Sequence, residues 1–425
     1  MPTKIKILLS SILVVFAVSA FAAKAFAQEE FSAGSLYSAF GVGDLRYSAS
    51  LRSDGMGIQG ISLLGNYVNN FNNAANSDLE NTTLSLGFRF VQLNTKNSIS
   101  SSNFINANVT GVNLGIPVWR DYGMVINLGF NPYSVVNYRI SSSVTNGGTT
   151  YKEMFGGKGG LSRLNFGASG RPLRWLYLGA EYNFTFGNIR DITYFDFNNQ
   201  SIQNTYIKTE NNLTGNYFKG GFIANLGELF PRSQALMNFN IGFVYQMPVR
   251  LSSSVARIYG TSIGFDTVNV PGVTTEVPMA LGFGITKQFG KQFIVSTDLL
   301  YQKWGSFVPG LLLPGTYADN VHYGIGAEIL PAIKLDKTFW ESISYRFGFT
   351  YDNSLFSIDA GQINSYAVNF GFGIPINKEN SVDLAFQLGT RGKTDGNLMK
   401  DQYVKMSIGL NFGELWFIRS REEDK

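Results

Sequence analysis

The 425-residue chain has no cysteine, which excludes disulfides, thiolate metal sites and lipid attachment at a lipobox. It has one histidine, His322. A single imidazole cannot build a histidine metal cluster, and a hydrolytic triad would have to use it as its only base. Charged residues make up only 15% of the chain. After the first 27 residues no long apolar run occurs, so no membrane helix is predicted. The mean hydropathy of zero is what alternating strands give, because each averages apolar and polar residues.

The apolar run at the start has the layout of a secretory signal. Lys4 and Lys6 supply a positive region, residues 7–23 an apolar one, and Ala25-Phe26-Ala27 a small-x-small cleavage site. Loss of residues 1–27 removes three lysines and leaves 31 basic against 30 acidic residues. That near-neutral balance excludes a nucleic-acid-binding surface spread over the chain.

Residues 35–81 are rich in Gly, Ser and Asn and hold neither the helical nor the strand period. They are predicted to form an irregular plug. From Thr82 onward the apolar residues alternate. Leu84, Leu86, Phe88 and Phe90 share one face, with Ser85, Gly87 and Arg89 on the other. Arg at a bilayer midplane costs roughly 2–4 kcal/mol, so the phenylalanines should face lipid and Arg89 the lumen. Comparable faces recur at 109–118, 235–247, 292–302, 366–374, 382–388 and 404–412, with weaker candidates between them. The total is about fourteen strands, each near the 9–11 residues of a tilted span.

Long connections are expected at 93–107, 139–158, 189–216, 248–276, 305–320, 352–365 and 389–401. Short ones are expected between them, at 119–122, 172–175, 227–233, 290–292 and 376–380. Short periplasmic turns and long outer loops are the habit of bacterial barrels. The predicted fold is therefore an all-β transmembrane antiparallel barrel in the outer membrane, with an N-terminal hatch in the lumen and both termini periplasmic. The divisions are 1–27 signal peptide, 28–81 hatch, 82–413 barrel and 414–425 tail. A soluble propeller or sandwich would also alternate, but its solvent face would carry Leu, Phe, Val and Tyr on nearly every strand.

Other motifs carry no chemistry. Gly156-Gly157-Lys158-Gly159-Gly160 lacks the phosphate-loop spacing and is not followed by a helix. Asp395-Gly396-Asn397 and residues 196–199 are turn chemistry. Trp416 and Phe417 suit an interfacial aromatic belt. No catalytic residue, metal site or cofactor is predicted.

Several segments resemble the outer-membrane transporters of long-chain fatty acids and other hydrophobic compounds, the FadL/TodX type. They are Glu276-Val277-Pro278-Met279 with the hairpin after it, the run Tyr345-Arg346-Phe347-Gly348 to Asp352-Asn353-Ser354, and the spacing of the last three strands over 364–412. Gly159 to Arg163 and Tyr177 to Ala180 look like versions common in Bacteroidota. Gly55-Met56-Gly57 stands where that family has a glycine-rich hatch turn. Asn73-Ala74-Ala75 stands where it usually has Asn-Pro-Ala.

The resemblance implies a monomeric fourteen-stranded barrel in outer-membrane lipid, passively taking up a hydrophobic small molecule. It implies ligand binding in apolar loop pockets, for which Phe307, Val308, Leu311, Leu312 and Leu313 are candidates. It implies lateral exit where the third strand kinks, here Gly129-Phe130-Asn131-Pro132. Proline has no amide proton for the ladder, which is an independent reason to expect a break there. The alternative is a barrel of the same type serving a secretion-system or surface-assembly complex. A transporter needs an apolar path from the outer loops to a wall gap, whereas a partner barrel needs an exposed apolar patch on its loops. A water-filled porin is disfavoured by the hatch and by the lack of an evident charged cluster among lumen-facing positions.

Overall fold

The computed structural model describes residues 34–47, 50–98, 100–146, 148–198, 202–310, 312, 316–334, 336–358, 361–394 and 398–414. The signal peptide, Leu311, Leu313, the 395–397 turn and the tail beyond Glu414 lie outside them.

The strands are β1 (Asp44–Leu45), β2 (Thr82–Lys96), β3 (Ser101–Trp119), β4 (Met124–Pro132), β5 (Ser134–Asn146), β6 (Thr149–Leu173) and β7 (Leu176–Asp196). They continue as β8 (Thr205–Asn225), β9 (Phe239–Gln246), β10 (Val249–Thr261), β11 (Phe265–Val270), β12 (Thr274–Val277), β13 (Ala280–Phe289) and β14 (Phe293–Gln302). The last are β15 (Thr316–Tyr317), β16 (Asn320–Ile329), β17 (Ser344–Ile358), β18 (Gly361–Pro375), β19 (Ser381–Gly392) and β20 (Lys400–Glu414). β4–β5, β9–β10, β11–β13 and β15–β16 are single passes with breaks, which leaves fourteen passes. β2 pairs with β20 from Thr82↔Glu414 to Lys96↔Lys400 and closes the barrel. Among the described residues no helix is long and apolar enough to cross a membrane.

The alternation sets the faces as expected. Phe166, Phe218, Phe283, Phe347 and Phe370 stand exposed on the outside, while Arg89 turns inward and pairs with Asp54. The expected strand lengths were too short. β6 runs 25 residues and β7 and β8 run 21 each, against 10 for β13, β14 and β16. About half of each long strand therefore rises beyond the 9–11 residues that cross the bilayer. The connections read as 139–158 and 189–216 are mostly strand. Their Thr, Asn and Lys content resembles a loop because both faces there meet water.

Residues 34–81 fill the lumen. A six-residue helix, α1 (Leu51–Met56), ends at Gly57, whose φ of 66° supplies the left-handed cap. Its one and a half turns are too short to show a period. The wall gives way to it with glycine: a Cβ on Gly348 would sit 1.8 Å from the Met56 carbonyl oxygen. The segment does not rise from the short-turn end. Gly34 and Ser35 lie beside Asn137 and Asp401, toward the long-strand end, and Ser77 reaches the turn at Gly123. The described chain thus descends through the barrel before entering β2.

Candidate functional site

Three features meet in the lumen: a clamped plug, a break in the wall and a cavity between them. The clamp is ionic. Arg52 on α1 lies 2.7 Å from Glu328, whose other oxygen accepts from Arg346 Nε at 2.8 Å. Arg346 also pairs with Asp383, and Arg52 donates to the Leu64 carbonyl at 2.8 Å. The Tyr67 ring lies 5.1 Å from Arg52 and 5.6 Å from Arg346. All four charges are buried, each with a partner, as burial of charge requires. On the opposite wall Lys219 meets Glu181 at 2.9 Å and donates to the Asn70 carbonyl.

Backbone amides add to this. Asp298 Oδ2 accepts from the N–H groups of Gln59, Gly60 and Ile61 at 2.9, 2.6 and 3.1 Å. Asn73 Nδ2 donates to Ala168 at 2.9 Å and Ala180 at 2.8 Å, which ties the plug to β6 and β7. Ala74 and Ala75 are buried beside it, where only small side chains fit. His322 lies 2.9 Å from Asp352 and 2.7 Å from Gln59 of the plug. Among the described residues no group of acidic or histidine side chains could hold a metal ion.

The wall breaks at the third pass. The β3–β4 ladder runs up to Val112↔Phe130 and stops. Asn131 and Pro132 still pair with Arg163 and Ser162 of β6, but have no partner on β3. Gly129 and Asn131 face the lumen and Phe130 faces out. The Asn131 carboxamide bonds Asn113 and Asn165, so side-chain amides replace part of the missing ladder. Beyond Tyr133 the strand turns to the plug, with Asp44↔Val135 and Leu45↔Ser134. Among the described residues, positions 101–111 of β3 pair with β2 alone. A hydrogen bond of 3.2 Å from Asn137 to Asn106 spans the break.

Behind the break lies a cavity of about 270 Å³. Arg46, Arg89, Arg391 and Lys405 line it, with Asp44, Asp54 and Asp352. The expectation of no charged cluster in the lumen is therefore wrong. Single charges from separate strands and from the plug converge only when the barrel closes around it.

The outer mouth is apolar and filled by the chain itself. Phe307 and Leu312 are buried in a cluster with Tyr37 and Val42 of the plug and Trp304, Leu355 and Phe356. The Phe307 ring lies 4.9 Å from that of Trp304 and 4.7 Å from that of Tyr317. Val308 is half-exposed and bridges Glu276. Two of the five candidate ligand residues thus act as packing over the plug.

A family model described as BamG matches residues 6–423. The chain belongs to the BamG family. No curated protein matches it. Solved structures share its fold at low identity. A FadL homologue from Pseudomonas aeruginosa has a TM-score of 0.60 at 11% identity, over 88% of this chain and 99% of that one. The CymD monoaromatic hydrocarbon channel gives 0.56 at 14%, over 86% and 99%. The Ralstonia pickettii toluene transporter TbuX gives 0.53 at 16%, over 90% and 99%. This BamG-family chain therefore has the closed β-barrel fold of these proteins, of which CymD is a hydrocarbon channel and TbuX a toluene transporter.

The sequence reading missed the clamp of this BamG-family barrel. Its one available signal was a lone charge on an otherwise small lumen face, as at Glu328, Arg346 and Asp383.

Proposed function

We propose that this barrel serves an outer-membrane surface-assembly complex as a plugged partner and not as an open passage. The observation that carries the reading is the edge strand β11 at the long-strand end. Among the described residues β11 pairs only with β10. Ile263 at the hairpin tip and Phe265 at the start of β11 are 81% and 72% exposed, and Val268 and Tyr259 are exposed beside them. An unpaired apolar edge is a template for another chain's strand. The filled outer mouth and the charged cavity also depart from an apolar path.

The test is photo-crosslinking in native membranes from positions 263 and 265, with lipid-facing Phe283 as control. Discrete protein adducts from 263 and 265 only are expected. Adducts from none of the three, or equally from Phe283, would contradict the reading.

A second reading has one observation in its favour. The ladder break at Asn131 and Pro132 lies where lateral release of a hydrophobic compound, such as a long-chain fatty acid, would take place. Saturable uptake of such a compound into liposomes, lost when the break is bridged by a disulfide between cysteines at 106 and 137, would favour it.

A further inference from the structure

The cations around the cavity are not equally occupied. Arg89 is taken by Asp54, and Arg391 by Asp44 at 2.7 Å and Asp401 at 3.2 Å. Asp352 is held by His322 and Asn320. The Arg46 and Lys405 side chains have no ion pair or hydrogen bond among the described residues, and the Lys405 ammonium only rests 4.4 Å from the Tyr403 ring centroid. The Arg391 Nε proton is buried and also without an acceptor. Two cationic side chains without a direct partner thus line one space. A charge kept from bulk water is stabilised by a counter-charge at contact distance, and none of Asp44, Asp54, Asp352 and Asp401 makes an ion pair with Arg46 or Lys405.

The same cavity reaches the wall break. Asn106 and Asn108 on β3 and Val135 and Asn137 on β5 line it from the two sides of that break. Their neighbours Ile105 and Val109 point the other way, and Ile105 is 77% exposed on the outer face of the barrel. The space therefore joins a cationic interior to an apolar exterior through an unladdered stretch of wall.

We propose that this cavity binds the phosphate headgroup of an amphiphile from the surrounding membrane. The phosphate sits between Arg46 and Lys405, while the apolar chain leaves through the break past Ile105. A phosphate monoester, the headgroup meant here, carries close to two negative charges, which match the two cations. A carboxylate would leave one cation unbalanced. The guanidinium fork and the ammonium point charge are both established phosphate-binding chemistries. The inference is independent of the partner reading above.

The test titrates the purified full-length protein in an uncharged detergent with dodecyl phosphate, laurate and inorganic phosphate by calorimetry. Saturable binding of dodecyl phosphate is expected, at least tenfold tighter than laurate and a hundredfold tighter than inorganic phosphate. The Arg46→Gln, Lys405→Gln variant should lose at least tenfold for dodecyl phosphate. Equal affinity for laurate would overturn the phosphate assignment, and equal affinity for inorganic phosphate would overturn the chain exit.

A wild-type measurement guards against a variant that fails to fold. A photoreactive alkyl phosphate labelled next to its headgroup should mark peptides holding residues 44–47 or 403–407. Labelling confined to lipid-facing strand positions, or no saturable binding, would overturn the site.

Discussion

The two ends of the lumen are built on opposite terms. Toward the short turns the plug and wall are joined by paired charges, Arg52, Glu328, Arg346 and Asp383 in one chain of contacts, and by Asp298, one of whose oxygens accepts from three amides. Toward the wall break the ladder lacks a strand pairing, Arg46 and Lys405 stand unpaired, and a cavity remains. The difference teaches that the plug is anchored at its lower half, and that any exchange with membrane or partner belongs to the upper half.

The largest effect should come from cutting the anchor. Arg346→Ala leaves Glu328 short of one partner and Asp383 without its guanidinium. Removing one member of a buried pair costs about 3–5 kcal/mol. Thermal unfolding followed by circular dichroism should show a fall of many degrees, and limited proteolysis should cut first within residues 50–70. An unchanged melting point would mean that the anchor is not where this comparison puts it.

Next is Gly348→Val. The added Cβ must displace the Met56 carbonyl, 1.8 Å away. Proteolysis of α1 should rise by an order of magnitude while the barrel still resists. At the upper half, Lys405→Met should be neutral or mildly stabilising, because it removes an unpaired charge from a low-dielectric interior. A loss comparable to that of Arg346→Ala would erase the contrast between the two ends.

The smallest effect concerns Asp78, at the foot of the plug. Burial pushes its pKa up to about 6, despite Arg171 nearby. A raised carboxyl pKa means that the folded state holds the proton more tightly than the unfolded one. The stabilisation is complete below about pH 4 and is lost as pH rises through 6. Asp78→Asn should flatten the melting point between about pH 4 and 6, the window between the unfolded and folded pKa values. An identical pH profile in the variant would place the titrating group elsewhere.

The barrel was legible because its rule is local: alternation from Leu84 to Phe90 fixes both faces of a strand, and Arg89 says which is inward. Pro132 marked the ladder break for the same reason, a missing proton. Strand height was not legible, since Thr205 to Leu213 obeys no lipid constraint once above the membrane. The clamp was not legible either. Arg52, Glu328, Arg346 and Asp383 are up to hundreds of residues apart, and only closure of β2 on β20 gives them a common interior.

The account rests most on the seal. The direct measurement is uptake of a fluorescent hydrophobic compound into liposomes holding the purified wild-type protein, beside Arg346→Ala liposomes and empty ones. The account predicts wild-type uptake equal to that of empty liposomes, with a rise on loosening the plug. Saturable wild-type uptake well above empty liposomes would contradict it and favour the lateral-release reading.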